Sequence, residues 1–133
     1  MSKDYEELRE TITTSAEAEG RINRQKGGYG QYGVVKLKVE PLGRGQGFEF
    51  VNVLPPENTM PEEYIKPIEE GVREAMQQGI LSGYPMTDLR VTLLDGSYTY
   101  VDSSEAVFKL AGSIGFKEAA RKANPIILEP DAS

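Results

Sequence analysis

The chain has no cysteine and no histidine among its 133 residues. The first absence removes a disulfide framework and any thiolate metal site. The second removes the common zinc and iron sites and general-base catalysis by imidazole. No apolar stretch approaches the ~18 residues that would span a bilayer, and the N-terminus lacks the apolar core of a signal peptide. A cytoplasmic protein with no membrane partner is the expectation. Gly-x-x-x-x-Gly-Lys-Ser/Thr is also missing, so the usual phosphate-binding loop of nucleotide hydrolases is excluded.

What remains is the composition of one folded domain. Apolar residues make up 38% of the chain and 14 glycines add to them, which falls within the roughly 45–50% of a soluble globular protein. The net charge of −6 argues against nucleic-acid binding by the whole surface, but its distribution does not. Asp4, Glu6, Glu7, Glu10, Glu17 and Glu19 crowd the start, whereas residues 20–39 carry Arg21, Arg24, Lys26, Lys36 and Lys38 with no acid. A locally positive field on an acidic protein follows.

Residues 1–8 read as a polar lead-in. From Glu19 to Lys26 the chain has extended character, and VVKLKVE then alternates with Val35, Leu37 and Val39 on one face, so the glycines between form a hairpin turn. Pro41 and the glycines after it lead into a third strand, FEFVNVL. Pro67 argues for a helix starting at Lys66 or Pro67, with Ile68, Val72, Ala75 and Met76 as its buried stripe and Gly79 as its stop. TDLRVTLLDGSY makes a fourth strand. The next helix is capped by Asp102 or Ser103, in a capping box with Glu105, and is stopped by Asn124 and Pro125. Its core face is Val107, Leu110, Ala111 and Ile114, and Gly112, Gly115 and Ala119 permit close packing against a neighbour. A last strand covers 126–129. The order β-β-β-α-β-α-β gives an α+β fold with both helices on one face of the sheet.

GYGQYG, residues 28–33, has the Gly-x-Gly-x-x-Gly spacing of phosphate-cradling loops. A dinucleotide site needs a helix directly after the glycines, and here a strand follows. The kinase form sits on a hairpin, but without histidine there is no His-Arg-Asp loop, and Asp-Phe-Gly is absent. On spacing alone a conformationally permissive hairpin turn is the favoured explanation, the motif being a weak signal. Two tyrosines, Tyr29 and Tyr32, flanked by Arg24, Lys26 and Lys36, nevertheless combine aromatic faces, bare backbone and positive charge, as phosphate contact with base stacking requires. Tyr98 and Tyr100 are left open between core and stacking roles.

The blocks RETIT, RQKGGYGQYGVVKLKVEPL, GFEFVN, MPEEYIKPIEEGVREAM, DGSYTYVDSSEAVFKLAGS and ILEP occur in this order over residues 9–130. Together they resemble the fourth domain of elongation factor G. The resemblance implies a two-layer α/β sandwich like the second domain of ribosomal protein S5, with a left-handed βαβ crossover. It further implies a translocation factor whose tip enters the decoding centre and the A site, with ribosomal RNA, messenger RNA and transfer RNA as partners. The parent would carry GTP and Mg²⁺ in another domain, leaving this one, a monomeric piece, with no cofactor and no catalytic residue.

By the same resemblance the tip is made of Arg24, Gln25, Lys26, Gly27, Gly28, Tyr29, Gly30 and Gln31 in one loop and Gly96, Ser97, Tyr98, Thr99 and Tyr100 in the other. The family usually reads GGRGQYG and DGSYHEVDSS. This chain has Tyr29 for the arginine, Thr99 for the histidine and Tyr100 for the glutamate. A diverged paralogue acting in recycling or protection is therefore the alternative. Two further classes stand beside it: a small-molecule kinase of the same fold, whose glycine loop should lead into a helix, and an adaptor using the acidic N-terminal segment.

Overall fold

The alternation of VVKLKVE sets the centre of the fold. In the computed structural model, which describes residues 8–129, Val35, Leu37 and Val39 are fully buried and Lys36 is exposed. They lie on β3 (Tyr29–Pro41), flanked by β2 (Ala16–Lys26) and β5 (Leu89–Ser97), with β4 (Phe48–Asn52) outside β5. β2, β3 and β5 pair antiparallel, whereas β4 and β5 are parallel. Parallel neighbours need a crossover, which α1 (Glu62–Gln78) supplies. The second helix, α2 (Glu105–Lys122), packs on β2, β3 and α1. Leu89, Val91 and Leu93 complete the sheet's inner face with no exposure, each contributing about 1.5–3 kcal/mol by burial. The result is the expected α+β arrangement.

To the expected order the structure adds a leading strand, β1 (Arg9–Ile12), which pairs antiparallel with β6 (Pro125–Leu128) in a separate two-stranded sheet. Four residues without strict alternation gave no period to read. The strand carries Glu10, fully buried. Its carboxylate accepts backbone N–H groups of Ile80 (2.7 Å) and Leu81 (2.9 Å) on Oε1 and of Ser82 (2.7 Å) and Tyr84 (3.1 Å) on Oε2. Burial pushes the Glu10 carboxyl up, but those N–H groups together outweigh burial and hold it below its ordinary value. The loop after α1 is thus fastened to β1 by one side chain. The ends expected as lead-in and stub, residues 1–7 and 131–133, lie outside the described residues.

Both helix starts differ from expectation. α1 begins at Glu62, so Pro67 lies inside it and is buried with Ile65 and Ile68. The apolar stripe outweighs the hydrogen bond that proline removes, a cost of about 3 kcal/mol. Ile68, Val72, Ala75 and Met76 are buried as expected, and Gly79 ends the helix at φ 68°. α2 is capped by Ser104, whose hydroxyl accepts from the Val107 N–H at 3.2 Å, and not by Asp102 or Ser103. Leu110 is 40% exposed and Phe108 takes its place in the core, because the start of α2 turns that face toward the sheet. Asn124, at φ 53°, ends the helical run.

Small residues set how closely the layers approach. A Cβ on Gly71 would strike the Lys109 carbonyl, and one on Gly112 would sit 2.5 Å from the Ile68 carbonyl oxygen. The packing expected of Gly112 and Gly115 is therefore present, the first against α1 and the second against β2.

Candidate nucleic-acid interface

β2 and β3 stay paired to the last couple, Lys26 and Tyr29, leaving Gly27 and Gly28 as a two-residue turn. Both have positive φ, 55° and 87°, the signs that match the twist of a hairpin. The glycine spacing of residues 28–33 therefore lies almost wholly on a strand. Gly30 makes room for Asp102, whose carboxylate would lie 2.6 Å from an added Cβ, and Gly33 for Val107 at 2.9 Å. Packing accounts for both glycines. No helix opens after them, so the N–H cradle of a nucleotide site is absent from this stretch.

The other loop begins where β5 ends. Between Lys36 and Leu37 the register with β5 slips, pairing Lys36 with Asp95 and Leu37 with Leu93. This bulge re-aims the end of the strand. Gly96 then points inward beneath Met60, and Ser97 points to the open face, its hydroxyl 2.9 Å from the Tyr32 hydroxyl. Beyond Ser97 the loop returns to β3. The Tyr32 N–H donates to the Asp102 carbonyl at 3.0 Å, and the Ser103 hydroxyl donates to the Tyr32 carbonyl at 2.6 Å. The two loops read from the sequence are thereby laced into one end of the molecule.

Within that end the expected residues have different fates. Tyr98 is a support: its hydroxyl lies 3.1 Å from the Thr59 hydroxyl, and its ring is 5.9 Å from Tyr64, which stacks on Phe108 at 4.9 Å. Tyr100 meets the Tyr98 ring edge-on, at 5.9 Å, its one ring contact among the described residues, and is 91% exposed. Val101, not anticipated, is 90% exposed. Gly96 packs against Met60, and its half-buried backbone also lines a groove on the open face. Gln25, Gly27 and Gly28 are exposed at the hairpin end, while Lys26 and Tyr29 are placed by their backbone as its final pair. Asp102 and Ser103, which fasten the loops, were legible only as helix-cap candidates, although Thr-x-x-Asp-Ser after a strand also marks a side-chain-closed turn.

Charge is less one-sided than the sequence suggests. Lys36 pairs with Glu17 at 3.6 Å, Arg21 with Glu19 at 3.5 Å and Lys38 with Glu40 at 3.8 Å. The Lys36–Glu17 pair joins neighbouring strands, while Arg21–Glu19 and Lys38–Glu40 lie two residues apart on one strand, so part of the positive charge of residues 20–39 is offset by adjacent acids. Arg24 donates from Nε to the Gln31 amide oxygen at 2.6 Å and has no acidic partner among the described residues. A shallow groove of about 230 Å³ on the open face, lined by Glu19, Arg21, Tyr32, Lys36, Asp95 and Ser97, carries both signs. Among the described residues no group of acids could hold a metal ion, and no helix is long and apolar enough to cross a membrane.

A family model described as elongation factor G, domain IV, matches residues 7–124. Among solved structures, a crystal structure of a protein from Thermus thermophilus is similar with a TM-score of 0.85 and 39% sequence identity. That match covers 92% of this chain but 18% of the Thermus chain, so this chain corresponds to a small part of that protein's length.

Proposed function

Since the chain belongs to the elongation factor G domain IV family, we propose that it is the leading domain of a ribosomal translocation factor. On this reading its laced loops enter the decoding centre and the A site and promote movement of transfer RNA with messenger RNA. The observation that supports it is the tip: two loops held together by Tyr32, Asp102 and Ser103, ending in Tyr100 and Val101 almost wholly in solvent. The domain works by occupying space and contacting RNA, with GTP and Mg²⁺ handled by another part of the parent in the cytoplasm.

The chain itself lacks cysteine, so once any cysteine elsewhere in the parent is replaced, a single introduced one is a unique probe. With Gln25→Cys carrying a hydroxyl-radical source in the parent factor, cleavage should fall on decoding-centre RNA, and Leu110→Cys should give none there. Cleavage elsewhere from Gln25→Cys overturns the reading. The departures at Tyr29, Thr99 and Tyr100 favour a second reading, a paralogue acting in recycling or protection. Single-round translocation by the parent separates the two, since a paralogue would bind the same site without moving transfer RNA.

A further inference from the structure

Position 99 is where the family places its histidine, yet in this chain the side chain there is turned to internal use. The Thr99 hydroxyl accepts the Asp102 N–H at 3.0 Å. The Thr99 N–H donates to the Ser103 hydroxyl at 3.0 Å, and the Thr99 carbonyl accepts the Ser103 N–H at 3.3 Å. Residues 99–102 thus form a turn closed by a side chain, a role that hydroxyl residues fill. Its two central residues are Tyr100 and Val101, and these are the exposed ones. The ring of Tyr100 is braced from behind by a run of rings, Tyr98, Tyr64 and Phe108, that ends in the core.

We propose that the contact residue of this loop is Tyr100, that it stacks on an unpaired RNA base, and that Thr99 is a positioning residue which presents it. The proposal rests on the ribosomal reading above and deepens it. Area favours a base over a protein surface. One aromatic ring, offering ~150–250 Å², and a neighbouring valine fall well short of the ~800 Å² per partner of a stable protein interface. A single base needs only the one ring. The hairpin laced to this loop carries the Arg24 guanidinium, which has no acidic partner among the described residues and suits a phosphate of the same strand, while the Asp102 carboxylate of the turn lies back against Gly30.

The test is binding of the full 133-residue chain to a single-stranded oligoribonucleotide of decoding-centre sequence, and to the same strand with one abasic position at a time. Folding of each variant is checked by circular dichroism. Tyr100→Ala should weaken binding by roughly 5- to 100-fold, the equivalent of one lost stack, and Tyr100→Phe should bind as the unaltered chain does. One abasic position should cost the unaltered chain as much and cost Tyr100→Ala nothing more. Thr99→Val should weaken binding about fivefold, one hydrogen bond's worth, with Thr99→Ser restoring it.

If the unaltered chain binds no RNA, the ribosomal reading falls and this proposal with it. If it binds and Tyr100→Ala is unchanged, or loses equally on every abasic strand, only the proposal falls. A Tyr100→Ala loss on ribosomal particles without one on RNA would place the contact on protein and overturn it too. Should Thr99→Ser fail to restore binding, Thr99 has no positioning role.

Discussion

Gly20 of β2 and Gly115 of α2 meet backbone to backbone: a Cβ on Gly20 would lie 2.7 Å from the Gly115 nitrogen and would strike the Ala111 carbonyl. Neither strand nor helix can retreat, because Val35 and Phe116 beside them are fully buried. Gly20→Ala should therefore cost about 3 kcal/mol, the upper range for overpacking. The urea midpoint should fall at constant m, and a midpoint unchanged within error would mean that the layers can separate.

Glu10 should make stability depend on acid. Its folded carboxyl titrates below the ordinary value, so the unfolded chain takes up the proton first. The contribution is fully present above about pH 4.3, the unfolded value, and is lost as pH falls through the folded value. Glu10→Gln places an NH₂ against N–H donors. It should lower stability by about 3 kcal/mol at pH 7 and flatten the acid limb of urea midpoints measured between pH 7 and 3. Parallel curves would assign the acid limb to other carboxylates.

The helix cap predicts a smaller effect. Ser104→Ala removes the acceptor for the Val107 N–H and should cost about 1 kcal/mol. Ser103→Ala should leave α2 intact by circular dichroism while loosening the tip, as judged by amide exchange at Tyr32, whereas Asp102→Asn should change neither, because Asp102 holds Tyr32 through its backbone carbonyl.

Paired and unpaired cations should differ in salt response. Arg24→Ala should reduce the dependence of RNA binding on salt by about 0.7 in log–log slope, one single-strand phosphate. Lys36→Ala should change it little, because Lys36 already faces Glu17. Equal slopes for the two variants would place the RNA surface on the open face of the sheet.

Nucleotide binding should be absent from the isolated chain. Gly30 and Gly33 are occupied with Asp102 and Val107, and the chain continues as a strand, so calorimetry with GTP or ATP should show no saturable heat at micromolar concentration. A measurable Kd in that range would require a site unlike the one that the spacing suggests.

Periodicity made most of this fold legible: β3, β5 and the buried stripe of α1 could be read because each has one buried face. What escaped lacked that signal. α1 begins before Pro67 because the burial of Ile65, Pro67 and Ile68 outweighs a local rule, and propensity carries no information about packing. β1 is short and is held by Glu10, which reads as one more surface acid until the N–H groups of residues 80–84 are brought to it. At the tip, the residue types of Tyr98 and Tyr100 are identical and only tertiary structure separates them. The charge tally failed at Lys36 for a related reason, since neighbours across a hairpin are distant in sequence.

The fastening of Tyr32 has a mechanical consequence. From Tyr32 back toward the core, β3 is bonded on both flanks, by β2 and by β5 or its continuation at Asp102. Outward, only the pairs Gln31–Arg24, Gly30–Gln25 and Tyr29–Lys26 remain, single-sided, for about 10 Å of strand. That overhang is a cantilever with its support at one residue. A load on the turn bends the outer three pairs before it reaches the sheet, because the support at Tyr32 is double: its N–H is held by the Asp102 carbonyl and its carbonyl by the Ser103 hydroxyl. Removing the Ser103 hydroxyl takes away one of those two fastenings and softens the arm at its root.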